Sequence, residues 1–186
     1  MAAAEVFDNF LTHEQCRITI SNFEEYIKTA SSVLVSYPYY KKVLEFALSK
    51  KPEWETLDKI IASKLTPYIK KYYDNICPSY GATTAPTKFV DTGYNIQLIH
   101  KNKGYIDLHD YSLNYTKKDE IKHPYHIGFI IFLNFISDGG EICFHQKSFN
   151  TKEGSILFFT TDWTHSMKIT TPKDNMYSII GFIQNQ

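Results

Sequence analysis

The chain has 186 residues, which suits one domain with one hydrophobic core. Hydrophobic residues make up 43% of the sequence and charged residues 22%, a balance typical of a globular protein and not of a disordered one. The formal net charge is zero, so the composition gives no sign of a nucleic-acid partner or of a basic membrane-binding surface.

The cysteines and the first residues indicate the compartment. Cys16, Cys77 and Cys143 are widely spaced and form no disulfide framework, as is typical of reduced thiols inside cells. The opening Met-Ala-Ala-Ala-Glu has neither the charged nor the apolar segment of a secretory signal. No stretch is long and apolar enough to span a bilayer. We therefore expect an intracellular, cytoplasmic protein.

The first elements in chain order are a short strand and a helix. Residues 5–10 fit a short strand or a turn. Thr12 and Gln15 then have the spacing of a capping box, which predicts a helix that runs to about Thr29. Its apolar residues recur at intervals of three or four, so one face should pack on a core.

A second helical region follows. The stretch from Lys42 to Leu48 could form a short helix. Pro52 begins a stronger one, whose apolar stripe starts at Trp54, and Pro67 inside it could bend it. A loop rich in Gly, Thr and Pro, residues 78–86, ends the helical half of the chain.

From Thr92 onward the pattern changes to short strands. Residues 94–99 alternate, Asn102-Lys103-Gly104 fits a hairpin turn, and His126 to Phe135 is a nearly continuous apolar run suited to a central strand. Asp138-Gly139-Gly140 predicts a tight turn. The remaining predicted strands are Glu141 to Phe144, Ser155 to Thr160, His165 to Thr170 and Met176 to Gln184.

Short strands at this regular spacing predict a β-sandwich or a jelly-roll barrel. The predicted fold class is α+β, with a single domain over residues 1–186. Residues 1–90 would be mainly helical support, and residues 91–186 would form the barrel core.

Three segments of the second half carry candidate chemistry: His109-Asp110-Tyr111, Gly139-Gly140-Glu141 and Trp163-Thr164-His165. Two histidines far apart in sequence, with an acidic residue beside the first, can form a facial metal site of two histidines and one carboxylate. Such a site leaves positions on iron open for oxygen and a co-substrate. The two glycines are more simply explained by the turn they allow.

From about residue 92 to 183 the chain resembles the double-stranded β-helix core of the 2-oxoglutarate/Fe(II)-dependent oxygenases, and most of all their prolyl-4-hydroxylase-like branch. No single segment carries this resemblance, which rests on six segments in the right order. These segments are residues 94–97, 104–109, 132–134 followed by 139–144, 152–159, 163–165 and 177–182.

The resemblance implies Fe(II) and 2-oxoglutarate as cofactors, with His109 as the first metal ligand and His165 as the distal one. The family's carboxylate position falls on Tyr111, so Asp110, one residue early, is the candidate third ligand. Neighbours in a strand point to opposite faces, and a bulge would be needed to turn Asp110 toward the metal. Trp163, at the barrel rim, and Tyr111 are candidates for substrate contact.

The co-substrate anchor also departs from the family. The resemblance places a basic residue about ten positions after the distal histidine, where this chain has Met176, which cannot pair with a carboxylate. Lys168 or Lys173 would have to replace it, and Tyr105 is a further candidate for co-substrate contact.

The resulting expectation is a non-haem Fe(II), 2-oxoglutarate-dependent dioxygenase that hydroxylates a peptide, a protein or a small molecule. A first alternative is a catalytically degenerate relative that keeps the barrel as a binding or interaction module, because Tyr111 and Met176 both depart from the pattern. A second is a jelly-roll that binds another metal or ligand, as cupin-like and sugar-binding barrels do.

Overall fold

The computed structural model describes residues 4–29, 40–49, 51–76, 89–109, 127–145, 147–161 and 166–185. The helices are α1 (His13–Thr29) and α2 (Glu55–Ile76), the second preceded by a 3-10 turn at Pro52–Trp54. The strands are β1 (Ala4–Phe7), β2 (Lys41–Lys42), β3 (Leu44–Ala47), β4 (Phe89–Ile99), β5 (Tyr105–His109), β6 (Ile127–Phe132), β7 (Ile142–Phe144), β8 (Lys147–Phe149), β9 (Ile156–Thr160), β10 (Met167–Ile169) and β11 (Met176–Asn185).

These strands form two antiparallel sheets. The six-stranded sheet has the order β1-β9-β6-β11-β4-β3, and the five-stranded sheet has the order β2-β5-β10-β7-β8. Strands far apart in sequence, such as β4 and β11, are direct neighbours, as is typical of a jelly-roll. The predicted α+β fold with a double-stranded β-helix barrel is confirmed.

The six-stranded sheet separates two hydrophobic cores, because successive side chains of a strand point to opposite faces. On β4, Tyr94, Ile96 and Leu98 face the helices, whereas Ile99 faces the other sheet. The helix-side core is filled by the apolar stripes of both helices and by aromatic rings, among them Phe23, Tyr72, Phe129, Phe158 and Tyr177.

The second core lies between the two sheets and is called the barrel interior below. Phe132, Leu157, Phe159 and Ile180 contribute to it from the six-stranded sheet, and Ile106, Ile142, Met167 and Ile169 from the five-stranded sheet. Each of these side chains is almost completely buried.

The start of α1 confirms the predicted capping box. The backbone N–H of Gln15 donates to Thr12 Oγ1 at 3.1 Å, and the backbone N–H of Thr12 donates to Gln15 Oε1 at 2.9 Å. These bonds satisfy backbone donors that the first turn of a helix leaves unpaired. In α2, Pro67 lies inside a helix that continues past it, as its sequence position predicted.

The short helix considered for Lys42 to Leu48 is wrong, because this stretch forms β3, and β2 precedes it. Its burial alternates with the two-residue period of a strand. Strand β8 was not predicted, since Lys-Ser-Phe is too short to show a period. The predicted division at residue 90 stays a prediction, and β1, β2 and β3 all come from its first part.

Candidate metal centre and its surroundings

His109 ends β5 at an irregularity that decides where its side chain points. In the pairing with β10, Met167 lies opposite His109 and Ile169 lies opposite Ile106, so β5 spans three residue steps where β10 spans two. The extra residue is a β-bulge, which re-aims the strand. Residues directly opposite each other share a face of the sheet, and Met167 is buried in the barrel interior. The half-buried His109 therefore faces the same interior.

Tyr40 holds the His109 ring in place. The two rings stack with centroids 3.9 Å apart and planes 6° from parallel. Tyr40 itself packs against the barrel interior, and its backbone carbonyl accepts a hydrogen bond of 2.5 Å from the N–H of Asp107. This stacking fixes the orientation of the imidazole ring, and a metal ligand needs such a fixed orientation.

The other predicted ligands and substrate contacts lie outside the described residues. This applies to Asp110, Tyr111, Trp163 and His165. Met167, which follows His165 by two positions in the sequence, lies opposite His109. No group of three His, Cys, Asp or Glu side chains with metal-binding geometry occurs within the residues described, where His109 is the one predicted ligand.

The predicted co-substrate residues Lys168 and Tyr105 lie on the outer face of the five-stranded sheet. Met167 and Ile169 are buried, so Lys168 between them points outward and is exposed. With Tyr105, Asp107 and Thr170 it lines an open depression of about 380 Å³. The structure thus places Lys168 and Tyr105 on the face opposite to His109.

Lys173 lies in the connection between β10 and β11. Its backbone N–H donates to the carbonyl of Asp138 at 2.9 Å, and its side chain is exposed. The three residues predicted to bind the co-substrate are therefore not brought together with His109 on the inner face.

The neighbours of Lys168 show a polar outer surface. A short hydrogen bond from the Thr170 hydroxyl to Glu141 lowers the pKa of that carboxyl. Burial raises the pKa of the Cys143 thiol, against the opposing effect of the Lys168 charge. Both effects belong to the outer face of the barrel and place no charge in its interior.

Met176, at the position of the family's basic anchor, is fully buried in the barrel interior. It lies opposite Ile99, and a Cβ added to Gly140 would be 3.3 Å from its sulfur. Gly139 and Gly140 have φ of +71° and +72°, which confirms that they form the predicted turn. A carboxylate beside Met176 would meet an apolar wall, so this position does not fit the far end of 2-oxoglutarate.

The interior does contain a cation that the sequence analysis missed. The Lys41 ammonium donates to Glu45 Oε2 at 2.5 Å, and these side chains are only 7% and 9% exposed. Gln97 Nε2 donates to the same oxygen at 2.8 Å, and Asn95 Nδ2 donates to Glu45 Oε1 at 2.6 Å. The signal in the sequence was Lys41-Lys42-Val43-Leu44-Glu45, in which every second residue faces inward.

Comparison with solved structures shows the same fold in a set of oxygenases. The viral collagen prolyl hydroxylase of Paramecium bursaria Chlorella virus-1, in complex with 2-oxoglutarate, has a TM-score of 0.70 at 13% identity, covering 99% of this chain and 97% of that one. A prolyl-4-hydroxylase of Pseudomonas putida has a TM-score of 0.68 at 11% identity, covering 100% and 94%. A prolyl hydroxylase of Trichoplax adhaerens, in complex with a peptide fragment of the hypoxia inducible factor, has a TM-score of 0.68 at 12% identity, covering 100% and 84%.

These similarities establish the fold: the chain has the double-stranded β-helix architecture of the prolyl-4-hydroxylase-like 2-oxoglutarate/Fe(II) oxygenases, as the sequence resemblance predicted. No protein-family model and no curated protein sequence matches the chain. Among the helices described, none is long and apolar enough to cross a membrane.

Proposed function

We propose that this protein is a non-haem Fe(II), 2-oxoglutarate-dependent dioxygenase that hydroxylates a peptide, a protein or a small molecule. The observation that carries the proposal is the inward-facing His109, turned by a bulge into the interior of a barrel that has the fold of these oxygenases. An imidazole at this position suits Fe(II).

In this proposal His109, Asp110 and His165 hold the metal. When bound, the iron would supply the activation of oxygen, and the chain supplies position and shielding. Tyr40 fixes the plane of the His109 ring through the stacking contact. The apolar side chains behind it, Phe159 and Met167 among them, keep water out of the interior.

The substrate class follows from the mouth of the barrel. Leu108, which precedes His109 in β5, is 65% exposed, so the strand end that carries the proposed metal ligand also carries an exposed apolar side chain. With Trp163 and Tyr111 as predicted contacts, this surface suits a peptide or an apolar small molecule. The Trichoplax prolyl hydroxylase is seen with a peptide, and we propose the same class of substrate for this chain.

The test is an anaerobic Fe(II) titration with and without 2-oxoglutarate, followed by a turnover assay that measures succinate formation. We expect a weak visible charge-transfer band that requires both components. The His109→Ala variant should lose this band and bind iron about tenfold or more weaker, because a metal ligand is gone. The matched control is His145→Ala, which removes an exposed histidine at the turn after β7. Iron binding by His109→Ala that is as tight as that of the wild-type protein would overturn the proposal.

A second candidate function is a non-catalytic binding module with the same barrel. The observation that favours it is Met176, buried against Ile99 where the family has its basic anchor. Absence of iron uptake by the wild-type protein, together with unchanged folding of His109→Ala, would support this candidate over the enzyme.

A further inference from the structure

Residues 40–47 carry charged side chains into the barrel interior. This segment leaves the five-stranded sheet at β2 and joins the six-stranded sheet at β3. Lys41 lies opposite Ile106, and Glu45 lies opposite Gln97. Val43, midway between them, belongs to the interior core. Lys41, Val43 and Glu45 therefore all face the space between the sheets.

A buried ion pair at this position is not required by the fold. Taking a lysine and a glutamate out of water costs free energy, and a well-packed apolar pair serves a core at least as well. The chain has a second Lys–Glu pair at the same spacing, Glu55 and Lys59, and that pair lies on the surface of α2 with side chains 64% and 73% exposed. Lys41 and Glu45 are buried instead, between two sheets that are otherwise packed with apolar side chains.

The groups around Glu45 form a receptor for a carboxylate. One oxygen accepts from Lys41 Nζ and Gln97 Nε2, and the other accepts from Asn95 Nδ2. A cation with two amide donors can bind a carboxylate strongly, because hydrogen bonds to an ionised acceptor are stronger than those between neutral groups. Nothing in this donor set is specific to a glutamate of the same chain.

Two neighbouring polar atoms lack a partner. Gln97 Oε1 and Ser178 Oγ are buried and have no hydrogen-bond partner among the described residues. Gln97 and Ser178 lie opposite each other on β4 and β11, and both are at most 1% exposed. A buried polar atom without a partner costs free energy, so these two atoms can still bond to a ligand that enters beside Glu45.

The receptor lies next to the apolar position of the missing anchor. Ser178 follows Met176 by two residues on β11, so the two side chains point to the same face, about 7 Å apart along the strand. The donor Gln97 therefore lies diagonally across from Met176 on the inner face of the six-stranded sheet, and the cation of the receptor comes from the crossing segment and not from β11.

We propose that Lys41, Asn95 and Gln97 form a carboxylate-binding site inside the barrel, that Glu45 is its resident occupant, and that a small mono- or dicarboxylic acid binds there by displacing Glu45. β3, which carries Glu45, is a four-residue strand at the edge of its sheet, paired in the described residues with β4, so Glu45 lies at the edge of the sheet and not at its centre. The site stands on these contacts alone, and its use by 2-oxoglutarate rests on the proposed function.

The experiment removes the occupant and offers a substitute. Glu45→Ala leaves the cation and both amides in place, and its affinity for acetate, succinate and 2-oxoglutarate is measured by calorimetry without iron. We expect dissociation constants about tenfold or more below those of the wild-type protein, because a charge-assisted hydrogen bond becomes available. The gain should vanish in the double variant Lys41→Met/Glu45→Ala. Glu55→Ala, which removes the glutamate of the exposed pair, is the matched control and should show no gain.

A Glu45→Ala variant that binds carboxylates no better than the wild-type protein would overturn the proposal, as would equal binding by the double variant. If Glu45→Ala is unfolded in chloride buffer, circular dichroism in sodium formate at the same ionic strength decides: refolding supports the site, and no refolding overturns it. Turnover with iron is measured separately on the wild-type protein. A lack of enzyme activity would therefore not change the conclusion about carboxylate binding. A lack of carboxylate binding by Glu45→Ala would likewise not change the conclusion about enzyme activity.

Discussion

The two faces of the six-stranded sheet differ in the polarity of what they bury. On the helix side, aromatic rings meet in edge-on and stacked contacts, such as Phe158 with Tyr72 at 5.5 Å and Phe129 with Tyr94 at 5.9 Å. On the barrel side, apolar residues surround Lys41 and Glu45, which are the charged side chains found buried among the described residues.

This difference indicates that the two faces of the sheet have different roles. The helix side satisfies the general requirement of a fold, which is to remove apolar surface from water. The barrel side carries charges whose burial works against stability. Side chains retained at such a cost are candidates for binding chemistry, and variants on each face test how sharp the division is.

The largest effect is expected from the helix side. Phe158→Ala should lower the free energy of unfolding by about 3–5 kcal/mol, because it removes a fully buried ring and leaves a cavity beside Tyr72 and Phe129. Urea denaturation followed by tryptophan fluorescence measures the change. Phe135→Ala, at a ring that is 62% exposed, is the control and should change stability little. A loss below about 1 kcal/mol for Phe158→Ala would mean that the helices contribute less to the fold than their contacts suggest.

The next effect tests the cost of the buried charges. Lys41→Met alone should destabilise the protein by about 3 kcal/mol, because it leaves the Glu45 carboxylate buried without its cation. Lys41→Met/Glu45→Leu should recover most of this loss, since an apolar pair of similar volume suits the interior. The same urea titration measures both variants. If the double variant is as unstable as the single one, the pair has a structural role and the division between the two faces is weaker than stated.

The smallest effect concerns a tyrosine hydroxyl that links the helix side to a carboxylate of α1. Tyr177 donates to Glu24 Oε1 on α1 at 2.6 Å, and burial together with this bond raises the pKa of Tyr177 to about 12. An unfolded tyrosine ionises near pH ~10. Above that pH the unfolded state binds fewer protons than the native state, so this group's contribution to stability is complete below pH ~10 and is lost as the pH rises toward the native pKa.

Tyr177→Phe should therefore remove part of the alkaline fall in melting temperature. The measurement compares wild-type and variant thermal unfolding from pH ~8 to pH ~12, where the two curves should converge at the alkaline end. Parallel curves across this range would show that Tyr177 ionises at the same pH in both states.

The fold was largely predictable because its signals are local. The Thr12–Gln15 capping box, the alternation of residues 94–99 and the glycine turn at Gly139 each specify their element within a few residues. The order of these segments then predicted the jelly-roll, and the resemblance carried by the same segments indicated the oxygenase fold.

The interior was less predictable, because facing direction depends on register. The bulge that turns His109 inward depends on the pairing of β5 with β10. The residues around His109 carry no sequence signal for this pairing. Lys41 and Glu45 were missed for a different reason. Charged residues at a spacing of four are typical of an exposed helix face, and the strands that carry Lys41 and Glu45 pair with β5 and β4, which come some fifty or more residues later.

Strand β1 pairs with β9, which is synthesised near the end of the chain. Ala4 pairs with Phe159, so the first strand of the chain has its partner near the end. At translation rates of roughly 5–20 residues per second, β1 leaves the ribosome about 8–30 seconds before β9 does. Over that interval its backbone donors and acceptors are open to other chains. During synthesis, the side of β1 that later pairs with β9 is therefore an unpaired strand edge.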